Sequence, residues 1–121
     1  MKIFIIGASG LLGKALYREL STKYEVYGTY NKKKLNGFLK FDVSKDDIFQ
    51  KLKLKKNDIV IYLAGISRPS KVNRNLEKSK NINLLNTKKI INKLNKIKVK
   101  FLYLSSVEVF DCKKKNFGRK F

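Results

Sequence analysis

Ile3-Phe4-Ile5-Ile6-Gly7-Ala8-Ser9-Gly10-Leu11-Leu12-Gly13 is the stretch on which the reading of this chain turns. The run from Ile3 to Ile6 is short, apolar and ended by glycine, as a buried strand would be. From Leu11 to Thr22 the apolar residues recur at helical spacing, at Leu12, Ala15, Leu16 and Leu20. Strand, glycine turn and helix therefore follow one another at the start of the chain, the setting in which a glycine-rich turn holds a dinucleotide. Gly7 turns the chain tightly out of the strand, in a conformation that a Cβ resists. Gly10 clears a side chain from where a pyrophosphate must approach the backbone. Gly13 lets the helix pack closely on the first strand. The helix start offers free N–H groups and partial positive charge to phosphates. Gly7, Ser9, Gly10, Leu11, Leu12 and Gly13 are thus candidate cofactor contacts. An ordinary strand–turn–helix with glycines by chance is the competing explanation.

With 121 residues the chain has room for one domain. It contains no run of 18 or more apolar residues, so no membrane span is expected. A single cysteine, Cys112, excludes an internal disulfide, and a cytoplasmic setting is expected. The absence of His removes His general bases and His metal ligands, and no metal site is expected. The net charge is +20, and of 29 basic residues only Arg18, Arg68, Arg74 and Arg119 are arginine. Base readers favour arginine for bidentate contacts. The dispersed lysines point to a compositional bias and salt-sensitive sticking to polyanions, not to specific nucleic-acid recognition.

The alternation continues along the chain. Glu25 to Tyr30 reads as a second strand and Phe38 to Phe41 as a short third one. Ser44 is the expected N-cap of a helix with Asp46 and Asp47 in its first turn and Ile48, Phe49 and Leu52 turned inward. Ile59 to Leu63 is the fourth strand. A loop containing Pro69 leads to a long helix from about Leu76 to Asn95, with Leu84, Thr87, Ile91 and Leu94 on one face. Lys100 to Ser105 is the fifth strand. Strands one, four and five are continuous apolar runs, as expected of parallel strands covered on both faces. These elements predict an α/β, Rossmann-type doubly wound parallel sheet with strand order 3-2-1-4-5, truncated before a sixth strand. Residues 1–111 form the nucleotide-binding domain in this reading, and 112–121 a basic, unpatterned tail.

The residue that ends strand two sits near the adenosine ribose, where an acid would bind both hydroxyls and favour NAD. This chain has Thr29, Tyr30, Asn31, Lys32 and Lys33 there. The missing acid and the nearby cations favour NADP, with NAD as the alternative, unless these lysines merely belong to the general excess.

Gly7 to Gly13 resembles the glycine motif of the short-chain dehydrogenase/reductase family, in the spacing of its extended, sugar-nucleotide-modifying branch. The resemblance implies that Asp42-Val43 lies along the adenine; Asp42 could equally just start a turn. Leu63-Ala64-Gly65 resembles the family's small-residue turn beside the middle of the cofactor. Asn83 resembles an Asn that steadies the loop beside the active site, or is a solvated helix position. Tyr103-Leu104-Ser105-Ser106-Val107-Glu108-Val109-Phe110-Asp111 is similar to the end of strand five in dTDP-4-dehydrorhamnose reductases and related sugar-nucleotide enzymes. Ser106 falls on the catalytic Ser/Thr, whose hydroxyl would bond the substrate carbonyl, with Ser105 beside the cofactor; alternatively both hydroxyls only close a strand.

The family's chemistry also needs a Tyr-x-x-x-Lys pair on the next helix, the Tyr giving a proton as hydride arrives. The one match here, Tyr30 to Lys34, follows strand two, and Phe117-Gly118-Arg119-Lys120 has no phenol. The resemblance therefore implies the NADP-binding portion of a sugar-nucleotide reductase, inactive alone. A fragment of an NAD(P)-dependent sugar-nucleotide epimerase/dehydratase and a non-catalytic NADP-binding module are the alternatives. A nucleotide-sugar substrate is expected for a full-length form. An uncovered fifth strand would leave an edge open to self-association.

Overall fold

The computed structural model describes residues 1–64 and 81–104, the latter with side chains from residue 84 onward. Five strands form one parallel sheet: β1 (Ile3–Ile6), β2 (Val26–Tyr30), β3 (Leu39–Lys40), β4 (Ile59–Tyr62) and β5 (Lys100–Tyr103). Their spatial order is β3-β2-β1-β4-β5, as the sequence predicts. Among the described residues three α-helices flank the sheet: α1 (Leu11–Leu20), α2 (Ile48–Leu52) and α3 (Thr87–Lys96).

β1 is central, and all four of its residues are buried. Its alternating side chains feed two cores. Ile3 and Ile5 pack with Ala8 against Leu16, Tyr17 and Leu20 of α1. Phe4 and Ile6 pack with Phe41, Ile48, Leu52, Val60, Tyr62, Ile90 and Leu94, so α2 and α3 lie on the other face. Buried Asp58 ties the open ends together, accepting from the Lys2 N–H at 2.9 Å and the Lys55 N–H at 2.9 Å.

Four local expectations are corrected. Ser44 does not cap α2. Asp42 takes the Ser44 N–H and hydroxyl, and the chain makes one more turn before Asp47 caps the helix through the Phe49 and Gln50 N–H groups. On α1, Leu12 is 48% exposed and Ala15 is also exposed; the packed stripe runs through Gly13, Leu16, Tyr17 and Leu20. Of the expected long helix, residues 76–80 lie outside the described residues, and the rest divides into a π-helical segment, Asn81–Asn86, followed by α3. A π-helix turns less per residue, which shifts the phase of the face. The buried residues are Thr87, Ile90 and Leu94, while Leu84 is exposed. Finally, β5 is not covered on both faces among the described residues. Phe101 packs into the core, but Leu102 on the α1 side is 59% exposed.

Candidate dinucleotide site

The three glycines of the turn meet different surroundings. Gly7 has φ +88°, and a Cβ there would lie 2.8 Å from the Ala64 nitrogen. A Cβ on Gly13 would lie 2.5 Å from both the Ala8 Cα and the Gly7 carbonyl oxygen. Those two positions are demanded by the protein's own backbone. Gly10 is exposed, and its Cβ would meet only the Gly7 oxygen at 3.5 Å, an ordinary contact. Nothing among the described residues requires glycine at residue 10.

Gly10 is also the N-cap of α1, with no side-chain cap and no acid in the first turn. Lys14 makes the first backbone bond of the helix, to the Gly10 oxygen at 2.9 Å. The N–H groups of Leu11, Leu12 and Gly13 precede it and have no carbonyl partner within the helix. The positive end of the helix thus faces the Gly10 opening with no carboxylate to offset it. Leu11 is 93% exposed there, and Ser9 is half-buried. This cradle suits a pyrophosphate.

Thr29, 1% exposed, shapes the turn. Its Oγ1 accepts the Gly7 N–H at 3.1 Å and pins the turn to β2. Periodicity carries no such signal, because the bond joins residues 22 positions apart in the chain. Gly28 carries no local signal either: a Cβ there would press on the Ala8 Cβ at 2.8 Å and on the Phe38 ring at 3.0 Å.

The remaining candidates gather at the same ends of the parallel strands. Tyr30 closes β2, Asn31 follows it, and Lys32 is exposed. Asp42 and Val43, both half-buried, follow β3, and Leu63 and Ala64, also half-buried, follow β4. Parallel pairing forces this convergence, since every strand points the same way. At Asp42, partial burial opposes ionisation. Hydrogen bonds from the Ser44 hydroxyl and N–H, with Lys45 and Lys40 nearby, outweigh it and hold the carboxyl below its ordinary value. Asp42 therefore stands ready as a charged acceptor. The Asn83 side chain, Gly65, Ser105, Ser106 and the basic tail lie outside the described residues. Among the described residues no group of His, Cys, Asp or Glu is gathered to hold a metal. No described helix is long and apolar enough to cross a membrane.

A doubly wound parallel sheet, with an uncapped helix start and a glycine cradle at the carboxyl end of its first strand, defines a Rossmann-type nucleotide-binding fold. The model of the NAD dependent epimerase/dehydratase family matches residues 3–119, and the chain belongs to that family. A hypothetical dTDP-4-dehydrorhamnose reductase from Sulfolobus tokodaii superposes with a TM-score of 0.81 at 28% identity, over 100% of this chain and 45% of that one. A UDP-glucuronic acid 4-epimerase variant from Bacillus cereus, solved with a fluorinated UDP-glucuronic acid and NAD, gives a TM-score of 0.78 at 24% identity, over 94% of this chain and 43% of that one. RMD from Pseudomonas aeruginosa, complexed with NADPH, gives 0.68 at 24% identity, covering 95% and 39%. A comparison with the curated proteins yields no match. The chain thus spans less than half the length of these structures.

Proposed function

We propose that this chain is the NADP-holding portion of a sugar-nucleotide reductase that transfers hydride to a keto-sugar nucleotide, resembling dTDP-4-dehydrorhamnose reductase. The observation that carries the reading is the Gly10 opening: an exposed glycine that the fold does not need, over an uncapped, acid-free helix start. The likeness to the Sulfolobus tokodaii protein over the whole chain supports the reductase assignment.

In this reading the first-turn N–H groups of α1 bind the pyrophosphate, with Ser9, Leu11 and Leu12 around it. Asp42 and Val43 lie along the adenine, and Leu63, Ala64 and Gly65 flank the middle of the cofactor. The bound nicotinamide would supply hydride. Asn83 steadies the adjoining loop, Ser105 lies beside the cofactor, and Ser106 hydrogen-bonds the substrate carbonyl. No Tyr-x-x-x-Lys pair to give the carbonyl oxygen its proton follows strand five in these 121 residues, so in this reading the chain binds cofactor but does not turn over alone. The setting is the cytoplasm, and a nucleotide sugar is the substrate of the longer form.

An NAD(P)-dependent epimerase or dehydratase is the second reading, favoured by the family match and by the Bacillus cereus neighbour. Calorimetric titration with NADPH and NADH tests the cofactor part, with NADPH expected to bind more tightly. Equal affinities remove the NADP assignment, and no binding of either removes the whole reading. Assay of a longer form carrying a Tyr-x-x-x-Lys pair then separates the reactions: net oxidation of NADPH marks a reductase, and turnover without net cofactor change an epimerase.

A further inference from the structure

Lys40 ends β3, directly opposite Tyr30, the last residue of β2. Tyr30 shares a face of β2 with Gly28, which lies against Ala8 and Phe38, and residues paired directly across two strands share a face, so Lys40 lies on that face too. Phe38 packs on Tyr17 of α1 at 4.6 Å between ring centres. Lys40 therefore stands on the α1 side of the sheet, the side of the glycine turn. Its Nζ donates to the Asn31 carbonyl oxygen and, at 2.9 Å, to Asn31 Oδ1. The same Nζ lies 5.7 Å from the Tyr30 ring centre, within cation–π range. Among the described residues the one ion pair is Lys93 with Asp47, so no carboxylate closes on Lys40. An ammonium has three donors, and Asn31 takes two. The third remains for an anion, although Lys40 is also near enough to the Asp42 carboxylate to favour its ionised form. With Oδ1 engaged, the Asn31 amide nitrogen is a further donor at the same spot. Lys32, Lys33 and Lys34 are exposed on the loop beyond.

We infer that Lys40, held by Asn31 beside the Tyr30 ring, is the residue that takes the 2′-phosphate of the adenosine ribose, so that selectivity for NADP comes from β3 and not from the lysine run after β2. The inference rests on the cofactor reading above. It is specific because the ribose lies at the end of β2. A phosphomonoester dianion there meets a positioned cation instead of the acid that would receive a free 2′-hydroxyl.

The test is calorimetric titration of the whole chain with NADPH and NADH, and with 2′,5′-ADP and 5′-AMP as probes of the adenosine end. Lys40→Gln is expected to weaken NADPH and 2′,5′-ADP by about tenfold or more, while NADH and 5′-AMP change less than about twofold. Lys40→Arg is expected to keep most of the preference, and the double variant Lys32→Gln/Lys33→Gln to leave it in place. Equal losses for both dinucleotides in Lys40→Gln, or transfer of the loss to the Lys32/Lys33 variant, overturn the inference while the cofactor reading stands. Wild-type protein that binds NADH as tightly as NADPH overturns it too. Wild-type protein that binds no dinucleotide removes both.

Discussion

At the scale of single residues, the three turn glycines separate folding from binding. Gly13 is shut in by the Ala8 and Gly7 backbone, and backbone cannot swing aside as a side chain can. Gly13→Ala should destabilise the fold by about 1–3 kcal/mol, the usual range for forced overpacking. Gly10→Ala meets only an ordinary contact and keeps an unstrained φ of −73°. It should leave the thermal midpoint nearly unchanged and weaken dinucleotide binding by about tenfold or more. Thermal melts paired with cofactor titration check both. If Gly10→Ala unfolds the protein, or binds as wild type, then open space over Gly10 does not belong to a ligand. The motif pattern alone treats the three positions alike; only the distances around each one distinguish them.

At the scale of elements, α2 and α3 are joined on one face of the sheet through Asp47. Its carboxylate caps α2 through two backbone N–H groups and pairs with Lys93 of α3 at 2.5 Å. The Lys93 hydrogen bond, then the Phe49 N–H, holds Asp47 below its ordinary value of 3.8, and Asp42 is lowered as well. A carboxyl with a depressed folded-state pKa contributes stability that is present above the unfolded value and is lost as pH falls through the folded one. The urea midpoint should therefore hold between about pH 7 and 5 and fall below about pH 4. Asp47→Asn keeps a capping side chain but loses the charge, so its acid limb should be shallower. An unchanged acid limb would assign the loss to other carboxyls. The acids near the start of α2 are legible in the sequence, but Ser44 is not the cap, because Asp42 accepts the Ser44 N–H and hydroxyl.

At the scale of the molecule, the sheet has one flank left uncovered among the described residues. On the α1 side, Leu102 is 59% and Leu104 60% exposed, beside half-buried Ile59, Ile61 and Leu63. An apolar strand at a sheet edge is a template for pairing with another chain. We expect the 121-residue chain to self-associate, and Leu102→Lys to shift it toward monomer in sedimentation velocity. An identical distribution for both proteins would exclude that face. The net charge of +20 works against association at low salt, so self-association should grow as salt is raised.

The sequence by itself determined the strand–turn–helix opening, the order of elements and the strand order 3-2-1-4-5, because these follow from local periodicity and right-handed parallel crossovers. Tertiary structure alone decided which face of α1 and α3 is buried, that Thr29 holds the Gly7 turn, and that Lys40 stands beside Tyr30 and Asn31. Those facts depend on which residues meet across strands distant in the chain, and no local pattern encodes such meetings.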